Sequence, residues 1–337
     1  MSRTVGQVRA DVEEAARWLS GRVVRTPVLR SSVIDGLAGA RVLLKAENLQ
    51  NGGSYKMRGA LRAVGRLASA GHTGVIAQST GNHAVAVALA AREHGLAATV
   101  VLPVDAAPTK VDRARAAGAR VVFAGTDVGE RVAAANGLSD ESGHPVIDAY
   151  DHPDVIAGQG TASLELIEEA ERAGTPLDAL VVPVGGGGGV AGACLAAAGT
   201  GIEVYGVEPA GCDSLARSLA AGERVPVAPA PTIADGLRPS CVGELPFAIV
   251  RNVLRGVVRV DDDEIGAAFR LILMELKVLV EPSGAAGLAG VLRLAPEADR
   301  RRTVGVVLTG GNVEAALVAR LTVGRPAVVT TVEGVAA

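Results

Sequence analysis

The chain has 337 residues, 49% hydrophobic, 20% charged and only 2% aromatic, with 43 glycines and a formal net charge of −3. So much apolar content at so small a net charge excludes intrinsic disorder, and the absence of a Gly-X-Y period excludes collagen. Seven aromatics without a basic excess exclude a nucleic-acid stacking platform.

The length predicts two domains, with enough chain for a sizeable core. Short Val/Leu/Ile-rich runs alternate with Ala-rich stretches. In chain order the strands are expected at Val42–Lys45, Val75–Ala77, Ala98–Leu102, Arg120–Phe123, Ala179–Val184, Glu203–Val207 and Thr303–Leu308. Helices are expected at Met57–Ser69, Asn82–His94, Pro108–Ala117, Asp127–Ser142, Gly160–Ala173, Val190–Ala198, Asp262–Lys277 and Ser283–Leu294. Near-continuous apolar strands spaced by helices predict an α/β fold with parallel sheets covered on both faces. The strand-helix units after Gly74 read as a compact subdomain.

Cys194, Cys212 and Cys241 stand apart with no C-x-x-C pair, which argues against a disulfide framework or zinc site and predicts a reducing cytoplasm. Met1–Glu14 is charged throughout, without the apolar core of a signal peptide. Ala179–Ile202 carries no charge, but Pro183 and the run Gly185–Gly189 suit strand, loop and buried helix better than a membrane span. No membrane or nucleic-acid partner is expected.

In such folds ligands gather at the strand-to-helix loops beyond the carboxyl ends of the strands. Gly185, Gly186, Gly187, Gly188 and Gly189 follow one strand and open a helix. Their backbone can approach an anion closely, and the helix start offers free N–H groups, so a phosphate cradle is expected. The loop lacks the Lys-Ser/Thr ending of a P-loop and the spacing of G-x-G-x-x-G.

Lysine usage is sharper. Of 33 basic residues only Lys45, Lys56, Lys110 and Lys277 are lysine, and arginine cannot give up its proton at neutral pH. Lys56 lies in a glycine-rich turn entering a helix, Gly52–Gly59, where the dipole disfavours a protonated amine and favours a nucleophile. The loop Ser79, Thr80, Gly81, Asn82, His83 also follows a strand and suits a substrate carboxylate. Leu308–Asn312 repeats the pattern with a hydroxyl and two glycines. A phosphate cradle, an activated lysine and a carboxylate loop together suggest pyridoxal phosphate acting on an amino acid.

At this point the chain resembles the fold-type II pyridoxal-phosphate enzymes, and within them the serine/threonine dehydratases and serine racemases. The matching segments are Glu47–Gln50, Ser54–Ala60, Ser79–His83, Lys110 with Gly118–Ala119, Val155–Thr161, Pro183–Gly188, Gly206–Pro209, Thr232–Leu237, Val280–Ala285 and Thr309–Val313. They span about residues 20–320 in consistent order. The resemblance implies two doubly wound parallel-sheet domains of the tryptophan synthase β-like type. Residues 1–73 and 148–337 would form the large, cofactor-binding domain and 74–147 a small mobile one. With 17 residues after Arg320, no regulatory domain is expected to follow.

The resemblance also implies roles. Lys56 would carry the cofactor and then remove the substrate α-proton. Tyr55 would lie against the cofactor ring, Asn82 would bond its 3′-oxygen and Gly185–Gly189 would hold its phosphate. Thr309 would face the pyridine nitrogen, where a neutral hydroxyl makes the ring a weak electron sink and favours prompt loss of a β-leaving group. The implied reaction is α,β-elimination of water from L-threonine or L-serine, giving a 2-oxo acid and ammonia. Thr80 stands where racemases place a catalytic serine, which keeps racemisation open beside β-replacement on the same site. Arg238, after Asp235–Leu237, points instead to an acidic substrate such as 3-hydroxyaspartate. Glu208 matches one member of the family's cation-binding acidic pair, but Ser214 replaces the other and Asp213 is one residue off, so no metal is expected. Relatives imply a homodimer. A reading from another class is a non-catalytic nucleotide-binding module built on the glycine loop.

Overall fold

The structure, a computed structural model, describes residues 5–79, 81–106, 108–126, 128–295 and 302–323. In chain order its elements are α1 (Val5–Leu19), β1 (Val28–Leu29), α2 (Ser32–Ala38), β2 (Arg41–Lys45), α3 (Lys56–Ser69), β3 (Gly74–Gln78), α4 (Asn82–Glu93), β4 (Ala97–Leu102), α5 (Pro108–Ala116), β5 (Arg120–Phe123) and α6 (Val128–Ser142). There follow α7 (Pro153–Arg172), β6 (Ala179–Pro183), α8 (Gly188–Ala197), β7 (Glu203–Pro209), α9 (Ser214–Ala221), α10 (Glu244–Val250), β8 (Gly256–Val260), α11 (Asp262–Leu271), α12 (Pro282–Leu294), β9 (Thr303–Val307) and α13 (Ala315–Val323).

Two sheets result. The larger has the order β1-β2-β9-β6-β7-β8 and the smaller β3-β4-β5. All pairings are parallel except β1 with β2, an antiparallel edge pair absent from the sequence expectation. Strands buried on both faces account for the unbroken apolar runs: all five residues of β6 are buried. The uncharged stretch after β6 becomes α8, buried along its whole length. Among the described residues no helix is long and apolar enough to cross a membrane.

The helix expected from Gly160 begins seven residues earlier, at Pro153, capped by the His152 side chain on the Asp154 N–H. Gly158 and Gly160 lie inside it because backbone must touch backbone there. A Cβ on Gly160 would sit 2.7 Å from the Gly192 carbonyl, and one on Gly192 2.6 Å from the Gly160 nitrogen. Likewise a Cβ on Gly59 would come within 2.7 Å of the Val155 carbonyl. These contacts seat α3, which carries Lys56 at its first residue, against α7, and α7 against α8 at the glycine loop. The helix expected through Lys277 stops at Leu271; a π turn over Ile272–Leu276 follows, and Lys277 adopts a left-handed φ of 60°. That geometry cannot continue a helix.

A buried ionic cluster fixes the other side of α3. Arg58, fully buried, pairs with Glu47 and Glu165 at 2.7 Å each, while Lys45 reaches Glu165 and the Thr26 carbonyl at 2.6 Å each. Removing one partner from such a cluster strands a buried charge and costs roughly 3–5 kcal/mol.

Candidate active site

A cavity of about 880 Å³ opens between the ends of the two sheets, and the loops singled out from the sequence converge on it. Gly52, with a positive φ of 72°, turns the chain into α3, so that Lys56 enters the cavity from the helix start. Its Nζ donates to the Ala149 carbonyl at 2.8 Å. Burial pulls its pKa down to about 8, against the pull of Asp148 and Glu281. Such an amine spends part of its time neutral at physiological pH and can act as nucleophile or base.

The other lysines differ. Lys45 is committed to its buried carboxylate, Lys110 pairs with Asp235 at 3.1 Å, and Lys277 lies exposed. Tyr55 lies beside Lys56, its ring centroid 5.3 Å from Nζ. A Cβ on Gly189 would stand 2.8 Å from the Tyr55 hydroxyl, and one on Gly186 or Gly188 would strike Tyr150. Only glycine therefore fits this turn. Gly187, at φ 92°, supplies no side-chain cap to α8, whose first N–H groups are left for a ligand.

Across the cavity, Ser79, Gly81, Asn82 and His83 line the wall at the start of α4. Thr80 lies outside the described residues. The Ser79 hydroxyl accepts the Gly81 N–H at 3.3 Å. His83 faces inward: its Nε2 bonds the Ile147 carbonyl at 2.9 Å, its Nδ1 is buried without a partner, and burial drives its pKa down to about 4. The imidazole is thus neutral, a packed histidine at the cavity wall. Thr309 is buried, and its carbonyl accepts the Tyr55 N–H at 3.0 Å. Exposed Arg238 reaches the wall from the turn at Asp235–Leu237, joined by Arg113 and Arg131.

Two residues had no role in the sequence reading. Glu281, at the N-cap of α12, accepts the Asn82 Nδ2–H at 2.8 Å, and Asn312 donates to the Asn82 Oδ1 at 2.8 Å. An acid inside the apolar run Val278–Ala289 was the available signal. The acids near the matched cation motif are otherwise engaged. Glu208 accepts the N–H groups of Leu215 and Ala216, and Asp213 pairs with Arg217 and Arg259. Among the described residues no group of three or more His, Cys, Asp or Glu is placed to hold a metal.

A buried amine at a helix start, opposite an uncapped glycine turn, defines a site for a phosphate-bearing carbonyl cofactor. Residues 19–310 match the family model described as pyridoxal-phosphate dependent enzyme. The chain is 42% identical to L-threo-3-hydroxyaspartate ammonia-lyase of Pseudomonas sp, over 90% of this chain and 95% of that one. It superposes on the crystal structure of the T.th. threonine deaminase with TM-score 0.86 and 43% identity, covering 90% and 98% of the two chains. Against the serine racemase of Dictyostelium discoideum the TM-score is 0.85 at 38% identity, covering 91% and 98%. The chain belongs to the pyridoxal-phosphate-dependent enzymes, of fold type II. Its cofactor is pyridoxal 5′-phosphate, and the residues present fit that group: an amine for its aldehyde and an open glycine turn for its phosphate.

Proposed function

We propose that this chain is a pyridoxal-phosphate-dependent ammonia-lyase that eliminates water from a β-hydroxy amino acid to give a 2-oxo acid and ammonia. The observation that carries the reading is Lys56 itself, a buried amine with a lowered pKa in the cavity shared with the glycine turn. When bound, the cofactor supplies an electron sink for the substrate's α-carbon. The residues supply the rest. Lys56 takes the α-proton at Nζ, Gly185–Gly189 hold the phosphate, and Tyr55 backs the ring. Asn82 meets the 3′-oxygen, and Thr309 leaves the pyridine nitrogen without a charged partner. Ser79, Thr80, Gly81, Asn82 and His83 form the loop for the α-carboxylate, with the Thr80 hydroxyl as the group on which racemisation would depend.

For the substrate, the guanidiniums of Arg113, Arg131 and Arg238 on the cavity wall favour a second carboxylate, as in 3-hydroxyaspartate, over L-serine or L-threonine. The ammonia-lyase relative named for that amino acid supports the same reading. The test is a panel of L-threo-3-hydroxyaspartate, L-threonine and L-serine read by 2-oxo acid release, with D-product scored alongside. Preference for 3-hydroxyaspartate that collapses in Arg238→Gln supports the acidic substrate. Turnover of L-threonine at least as efficient, unaffected by that change, rejects it. D-amino acid as the main product would reject the lyase itself.

We further propose that residues 74–147 move as a small domain against 1–73 and 148–337. We also propose that the chain works as a homodimer in the cytoplasm. Exposed Leu49, Met274 and Leu279 offer an apolar surface for a second copy. The free thiols Cys194, Cys212 and Cys241 suit a reducing compartment.

A further inference from the structure

Asn82 is held by more than its own helix. Its Nδ2 donates to Glu281 Oε1 at 2.8 Å, and its Oδ1 accepts from Asn312 Nδ2 at 2.8 Å. The same Asn312 amide donates to the Gly52 carbonyl at 2.8 Å, and the Glu281 N–H donates to the Gly310 carbonyl at 2.9 Å. The turn before Lys56, the start of α4, the N-cap of α12 and the loop after β9 are therefore tied through the two carboxamides of Asn82 and Asn312.

Two glycines make room for this knot. A Cβ on Gly53 would lie 2.6 Å from Asn312 Oδ1, and one on Gly310 would lie 2.5 Å from Glu281 Oε1. An asparagine amide can turn over in place at little steric cost. Here, turning it would set donor against donor at Asn312, whose amide the Gly52 carbonyl holds in place, and would take from Glu281 Oε1 the N–H it accepts, so one orientation is fixed.

We infer that Glu281 is a positioning residue: together with Asn312 it locks the Asn82 carboxamide as a hydrogen-bond donor toward the cofactor's ring oxygen. The inference rests on the reading of Asn82 as the group that meets that oxygen. An electron-rich oxygen needs a donor, and a flipped amide would offer it another acceptor.

The charges around Glu281 agree with this role. Desolvation and Asp235 push its carboxyl up to about 8, against the hydrogen bond from Asn82, the guanidinium of Arg113 and the Asn312 N–H. Lys56 and Tyr55 are the other titratable groups within its influence. The side chain thus holds its proton over much of the neutral range while its carbonyl oxygen still accepts from Asn82. Glutamine, a neutral isostere, should reproduce it.

The holoenzyme without substrate gives two readouts: the position of its absorbance band, and the rate of cofactor loss on dilution into cofactor-free buffer. Asn82→Ala, Asn312→Ala and Glu281→Leu should each displace the band and speed cofactor loss about tenfold, the scale of one hydrogen-bond partner removed. Glu281→Gln should match the wild type within about threefold. If Asn82→Ala changes both readouts while Asn312→Ala and Glu281→Leu do not, positioning by Glu281 is refuted and the reading of Asn82 stands. If Asn82→Ala changes neither, the reading of Asn82 fails first. Should Glu281→Leu not fold, Asn312→Ala and Glu281→Gln decide. An unaltered Asn312→Ala refutes the lock, and a Glu281→Gln without the wild-type band shows that charge, not position, is at work.

Discussion

The Lys110 ammonium on α5 meets the Asp235 carboxylate across the cavity mouth at 3.1 Å, joining the unit of the small sheet to a turn of the large one. Alongside it, the Thr109 hydroxyl donates to Glu314 at 2.9 Å. Both members of the ion pair are partly exposed, so the pair adds little to stability, at most about 1 kcal/mol. Its place is at the cavity, which both residues line, so breaking it should act on substrate binding more than on stability. Lys110→Ala and Asp235→Ala should each leave the melting temperature within about 2 °C of wild type while raising KM several-fold. A drop in kcat with unchanged KM would contradict this role.

Lys56→Ala should keep the fold and lose the chemistry. The purified wild type should absorb in a band near ~410–420 nm, the order expected for a lysine-bound cofactor. The variant should lack both band and turnover. Persistence of the band in the variant would reject Lys56 as the attachment point.

His83 makes stability depend on pH in a defined window. Burial lowers its pKa from 6.5 to about 4 in the fold. The unfolded chain therefore gains its proton first as the pH falls, and stability is lost between about 6.5 and 4. The loss for this one group is of the order of 3 kcal/mol. Denaturant titrations of wild type and His83→Gln should diverge across that window, the variant showing the shallower slope. Parallel curves would mean that the imidazole is not buried as a neutral group.

Divalent cations should be dispensable. Glu208 is engaged at the start of α9 and Asp213 by two arginines, so dialysis against a chelator should leave turnover and melting temperature unchanged. A gain of twofold or more on adding magnesium would show that these groups release their partners for a metal.

The glycine loop, Lys56 and the loop at Asn82 were legible because each is a local signal, a strand end with small residues opening a helix. The parallel sheets were legible from apolar runs such as Leu180–Val182. What escaped depends on contacts distant in sequence. The first turns of α7 lay outside the expected helix; Gly158 has a low helix propensity, which close packing on α3 overrides. The π turn before Lys277 leaves no mark in a hydrophobic pattern. Strand β8 is only partly buried, at the sheet edge, and lacks the long apolar run that reveals its neighbours. The role of Glu281 is set by Asn82, 199 residues away. No reading along the chain brings those two together.

The placement of the four lysines has a chemical consequence. A reactive aldehyde condenses with any unprotonated amine it can reach, and a lysine-rich surface would offer many decoys. Here Lys45 is sealed against Glu165, Lys110 is engaged by Asp235, and Lys277 stands exposed, away from the cavity wall. Lys56 alone of the four combines a lowered basicity with a place in the cavity wall. A carbonyl compound entering the cavity thereby meets its reactive amine at one address, Lys56.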